Sequence, residues 1–121
     1  MIFKKKDKSD NSVNISHLKN LMVLALADGH LAEIEEHLLL AIAHRLGLED
    51  KDVAEIKMNL DQVSFVLPEK YEDRVDQFNE LLTLMAIDGH IDPEEEQICR
   101  DFAEKYELMD HVTESMISKY R

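Results

Sequence analysis

Two short stretches hold most of the residues that could do chemistry. Asp28-Gly29-His30 is followed by Leu31 and then by Glu35-Glu36, and Asp88-Gly89-His90 is followed by Ile91 and then by Glu95-Glu96. Carboxylates at fixed spacing around a glycine turn are the donor type that oxygen-ligated cations use. The pattern of a calcium-binding helix–loop–helix ends in an acid, a Gly, an apolar anchor two residues on and a Glu six residues past the Gly. Asp28, Gly29, Leu31 and Glu35 fill those places, as do Asp88, Gly89, Ile91 and Glu95. The earlier ligand slots hold Leu24 and Leu26 in one copy, and Leu84 and Ala86 in the other. Calcium takes about six to eight oxygens, so neither stretch is an independent, high-affinity calcium loop.

Two readings of these corners stay open. In the first they only join helices. Gly ends a helix, and acids favour the positive N-terminal end of the next. Asp92 and Glu95 have the cap and N3 spacing of a capping box. The matching cap position in the first copy is Ala32, a poor cap, yet Glu35 and Glu36 persist there. In the second reading the acids bind a cation. If a two-fold axis brings the corners together, Asp28, Glu35, Asp88 and Glu95 supply four carboxylates to one site. Asp92 and waters then complete a shell for Ca²⁺, Mg²⁺ or Mn²⁺. If the corners lie apart, each is a weak site.

Other constellations are weaker. His30, His37 and His44 fall seven apart, whereas ligands from one helix sit three or four apart. His37 has Glu33 four residues before it, and neither His-Glu-x-x-His nor Glu-x-x-His is present. Cys99, the sole cysteine, matches Leu39 and reads as a small core residue rather than a nucleophile. No Ser-His-Asp signal, phosphate-cradling Gly loop or paired-cysteine motif occurs. The six Met residues read as packing, with Met109 and Met116 near the end available to a partner groove.

The elements that must position the corners are helices. The chain of 121 residues is 45% hydrophobic, enough for one modest core, and has only three Gly and two Pro. Ser16 reads as the cap of a buried helix running to about Ala27 and ended by Asp28-Gly29. An amphipathic helix follows from about Glu33 to Arg45, stopped by Gly47, and a third starts near Asp50 as its N-cap, with Val53, Ile56 and Met58 apolar. Residues 61–67 read as a connector with a short helical turn, because Pro68 pushes Leu67 off helical angles. A helix from about Pro68 to Ile87 places Phe78, Leu81, Leu82, Leu84 and Met85 inward and is ended by Asp88-Gly89. The next opens at Asp92-Pro93 and runs to about Glu107, and a last one begins at Asp110.

Offset by 60, residues 28–48 match 88–108 at seven of 21 positions, five of them in the corner. Chance gives about one or two. The expected fold class is therefore all-α, a single bundle of six or seven helices built from two three-helix repeats related by a pseudo-two-fold axis. Residues 1–15 are expected as a mobile basic tail, 16–60 as the first repeat and 68–121 as the second.

The doubled Ala-Asp-Gly or Ile-Asp-Gly, the aliphatic residue two on and the Glu early in the next helix resemble the tellurite-resistance TerB-like family over about residues 18–118. That family is similar to the N-terminal domains of some membrane-tethered DnaJ-type co-chaperones. The resemblance implies an all-α bundle with internal two-fold symmetry, a cytoplasmic location, and suspected metal binding at Asp28, Glu35, Asp88 and Glu95. No J-domain accompanies it in this sequence.

Charge narrows the partners. Fourteen Lys plus Arg against 26 Asp plus Glu leave a net −12, which repels a phosphate backbone, so nucleic acid is not expected. Residues 1–10 carry four Lys and two Asp, a local +2, and the remainder −14. The longest apolar run, Leu21 to Ala27, is far short of the roughly 20 residues that cross a bilayer, so no membrane insertion is expected. One cysteine and no apolar leader point to the cytoplasm. The sequence thus reads as a non-enzymatic TerB-like binding module with weak divalent-cation binding at its corners. The alternative is a metal-free helical scaffold for a protein partner, in which the corners only cap helices.

Overall fold

The computed structural model of the protein describes residues 2–27, 33–87, 89 and 91–120. Over these the chain is all-helical: α1 (Ile2–Ala25), α2 (Glu33–Arg45), α3 (Asp50–Met58), α4 (Tyr71–Met85), α5 (Pro93–Lys105) and α6 (Asp110–Ser118), with a 3-10 turn at Leu60–Gln62. No strand occurs among the described residues. None of the helices there is long and apolar enough to cross a membrane.

The chain divides into two compact units, Met1–Val66 and Leu67–Arg121. In the first, α1 packs on α2 and α3, and α2 on α3; in the second, α4 packs on α5 and α5 on α6. Helix bounds recur sixty residues on: Ala25 and Met85 end α1 and α4, α2 and α5 begin at Glu33 and Pro93, and α3 and α6 at Asp50 and Asp110. Burial follows the same offset. Leu21, Met22, Leu24 and Ala25 are buried, as are Leu81, Leu82, Leu84 and Met85. On the amphipathic helices, Leu39, Ile42 and Ala43 correspond to Cys99, Phe102 and Ala103, again all buried. Spacings of three and four put each set on one helical face.

α1 departs from expectation. It begins at Ile2, so it runs through the stretch assigned to a tail, and Ser16 does not cap it. Residues 2–16 contain neither Pro nor Gly, so nothing in that stretch breaks a helix. Ser16 is fully buried inside α1, and its hydroxyl accepts the Val66 N–H at 2.8 Å. Lys19 Nζ donates to the Val63 carbonyl at 2.6 Å. Side chains of α1 thus satisfy backbone groups of the irregular stretch after the 3-10 turn, which has no ladder of its own. Asn14 likewise donates to the Leu46 carbonyl at 3.1 Å, just past α2.

Three finer expectations also shift. Glu49, not Asp50, is the N-cap of α3, forming a capping box with Asp52 whose carboxylate accepts the Glu49 N–H at 2.8 Å. Met58, one of the apolar residues of α3, is 83% exposed. α4 starts at Tyr71, after Lys70 in extended angles at the N-cap, and ends at Met85 with Ala86 as its C-cap. Gly89 adopts φ 115°, but three residues beyond that cap, so it shapes the turn rather than ending the helix.

Candidate functional site

The second corner is built around the start of α5. Asp92 has extended angles and caps the helix, with Pro93 at the first helical position. Its Oδ1 accepts the Glu95 N–H at 3.0 Å, and Glu95 Oε1 accepts the Asp92 N–H at 3.1 Å. This is the capping box expected from the sequence. Ile91 is buried, and its N–H donates to the Tyr120 carbonyl at 3.5 Å, pinning the chain just ahead of the cap. Glu94, Glu95 and Glu96 occupy the first turn, where the helix dipole favours negative charge.

The first corner shows its helical side only. Glu33, Glu35 and Glu36 fill the first turn of α2, with Glu35 half-buried, as Glu95 is. Asp28, Gly29, His30, Leu31 and Ala32, together with Asp88 and His90, lie outside the described residues. Of the four suspected ligands, Glu35 and Glu95 are therefore placed, each in the first turn of the helix after its corner. Among the described residues no three His, Cys, Asp or Glu gather in a way that could hold a metal. Asp92 and Glu95 fall well short of an oxygen shell alone, so a cation there needs the aspartate of the turn and water.

Other candidates for chemistry are accounted for structurally. Cys99 is fully buried, and burial, reinforced by the charges of Glu95 and Glu96, pushes its thiol up to about 12. A thiol held that high is not a thiolate nucleophile near neutral pH. His44, at the end of α2, lies 2.7 Å from Asp50 Oδ1 and ties α2 to the start of α3. His17 is buried on α1, where its Nδ1 makes no hydrogen bond among the described residues.

Two features escaped sequence reasoning. In the second unit Arg100 Nη2 bridges Glu96 at 2.9 Å and Glu114 at 2.7 Å, joining α5 to α6. Both bonds hold the guanidinium more firmly protonated than usual. The Glu96–Arg100 half was legible as an i, i+4 pair; Glu114 required the fold. In the first unit, a cavity of about 220 Å³ opens where α1, α2 and α3 meet. Met22, Leu26, Leu39, Leu40 and Val53 line it, with Ala54 at its exposed edge. No single residue type announces it. The only signal was Leu40 and Ala54 standing sixty residues before Arg100 and Glu114.

Residues 3–58 match the model of the family described as Tellurite resistance protein TerB. That span covers α1 to α3 almost completely. No curated protein and no solved structure matches the chain.

Proposed function

We propose that this chain, TerB-like over residues 3–58, is a non-enzymatic helical binding module that takes up a divalent cation weakly at its two Asp-Gly corners. The observation that carries the reading is the placement of Glu35 and Glu95. Each is a half-buried carboxylate in the first turn of the helix after its corner, sixty residues from the other. Asp28 with Glu35, and Asp88 with Glu95, supply the hard oxygens that Ca²⁺, Mg²⁺ or Mn²⁺ prefer. Few protein ligands and much water make such a site weak. The non-catalytic part of the reading is supported by Cys99, the sole thiol, which is buried and kept protonated.

Thermal melts with Ca²⁺, Mg²⁺ or Mn²⁺ test this. A cation that binds only the folded chain stabilises it by about 2.7 kcal/mol at 100 times its Kd. We expect a rise in Tm at millimolar cation that disappears in Asp28→Asn/Asp88→Asn. An unchanged Tm at millimolar concentrations of all three ions sinks the cation reading. The metal-free scaffold is then the remaining one, and the closed Asp92–Glu95 capping box already favours it at the second corner.

A further inference from the structure

The cavity in the first unit has a counterpart that shows what it lacks. Positions 36, 40, 54 and 57 correspond, sixty residues on, to 96, 100, 114 and 117. In the second unit these are Glu96, Arg100, Glu114 and Ile117: the guanidinium spans α5 and α6, and Ile117 is fully buried. In the first unit they are Glu36, Leu40, Ala54 and Lys57, all at the cavity. Leu40 and Ala54 cannot form the bridge, and Lys57 is exposed where Ile117 is buried. The cleft between α2 and α3 therefore stays open and apolar.

We propose that this cleft is a docking site for a cationic amphipathic helix of a protein partner, which inserts one phenylalanine- or leucine-sized side chain. The proposal goes beyond the corners and needs no cation. Size argues for a single side chain. An apolar cavity of about 150 Å³ accepts benzene, whereas sites for drug-sized ligands run from about 300 Å³ upward; here the volume is about 220 Å³. Charge argues for a basic partner. Glu36 and Asp50 are exposed at the cavity edge, and residues 33–58 carry seven acids against three Lys or Arg, a net of −4. Among the described residues, Lys57 is the one cation lining it. Shape argues for a helix. Met58, 83% exposed, follows Ala54 by one helical turn on α3 and extends the apolar stripe past the cavity. That is the anchor-and-stripe layout of helix-in-groove recognition.

The test uses the full chain and a synthetic Lys/Leu amphipathic peptide of about 18 residues, long enough to hold a helix, with one Phe on its apolar face. Calorimetric titration at physiological salt gives Kd, and amide NMR shifts locate the contact. The expected result is shifts centred on Leu39, Leu40 and Ala54. Replacing the peptide Phe by Ala should weaken binding at least about tenfold, and a Glu/Leu peptide should bind far more weakly still. Installing the second unit's bridge, Leu40→Arg with Ala54→Glu, should also weaken binding at least about tenfold while the melting transition is kept. If that pair misfolds, Ala54→Leu, which crowds the cleft with an apolar group, must have the same effect. Equal affinity for the Phe and Ala peptides would mean attraction to the acidic surface alone and would overturn the proposal. So would equal affinity for the Glu/Leu peptide, or undiminished binding by a folded variant with the cleft closed.

Discussion

The joint between α2 and α3 and the joint between α5 and α6 share helix lengths and several buried positions, among them Leu48 and Leu108 after the turn. They are closed by different chemistry. One carries an arginine salt-bridged across α5 and α6 and a buried isoleucine, the other a leucine, an alanine and an exposed lysine. Helices of equal length at each joint need only a common set of buried apolar residues to pack. What lies on top of that set is free to differ, so one joint is spanned by a salt-bridged arginine and the other carries a mainly apolar cavity. The difference also separates the structural role of the acids from any binding role. Glu96 has Arg100 to neutralise it, while among the described residues Glu36 has no ion pair.

The sharpest way to break this comparison is to exchange the residues at 57 and 117. Ile117 is fully buried, so Ile117→Lys removes apolar contact and forces an ammonium toward the interior. We expect a loss of at least about 3 kcal/mol in urea denaturation. The reciprocal Lys57→Ile, at an exposed site, should change stability by about 1 kcal/mol or less. Equal costs would mean that the two positions are not different environments.

Cys99 and Leu39 give the second contrast, because only Cys99 can titrate. Its folded thiol is pushed up to about 12 from a reference value of 9.0. Between those values the unfolded chain releases a proton that the folded chain keeps, so stability falls as pH rises. The slope is at most about 1.4 kcal/mol per pH unit. Below pH 9 the contribution is fully present. In urea melts from pH 8 to 10.5, the gap between the wild type and Cys99→Ala should therefore narrow above pH 9. A constant gap would show that the thiol titrates alike in both states.

Much of the helical frame was legible in the sequence. Gly47 and the Asp92-Pro93 pair fixed the end of α2 and the start of α5, because their backbone preferences act locally. The inward set Phe78, Leu81, Leu82, Leu84 and Met85 followed from spacing alone, and all five are buried. The start of α1 was not legible, since Ser16 looks like a cap but spends its hydroxyl on Val66, fifty residues away. Nor was the reach of Arg100 to Glu114, which depends on how α5 meets α6. Of the candidate site, Glu35 and Glu95 took the first-turn positions their spacing implied. The cleft between α2 and α3 was missed because it arises from volume that is missing, and a sequence prints only what is there.

The arginine bridge itself predicts a smaller effect. Arg100 is 34% exposed, Glu96 23% and Glu114 50%, so solvent screens the pairs and the charges cannot be credited with a buried-pair energy. Arg100→Leu, which copies Leu40, should cost about 1 kcal/mol at low salt. Most of that cost should vanish near 1 M salt, where the screening length is about 3 Å. A cost independent of salt would assign the effect to packing of the arginine stem instead.

The smallest contrast lies in the turns after α2 and α5. Gly47 sits at φ 84° and Glu107 at φ 57°, both left-handed. The hydrogen bonds around them match: the N–H of Leu48 donates to Ala43, and that of Leu108 to Ala103. Glycine enters this region without penalty, whereas a residue with a Cβ pays about 1 kcal/mol. Glu107 adds a negative charge beside the negative end of α5, and Arg74, 4.0 Å away, offsets little of it. Glu107→Gly should therefore stabilise the chain by about 0.5–1 kcal/mol. Gly47→Ala should destabilise it by about 1 kcal/mol, although nothing lies within 4 Å of an added Cβ, because the cost is conformational rather than steric. Salt separates the two contributions at Glu107. The backbone share of the gain persists at high salt and the dipole share does not, so a gain abolished by salt would mean that the left-handed turn costs Glu107 nothing.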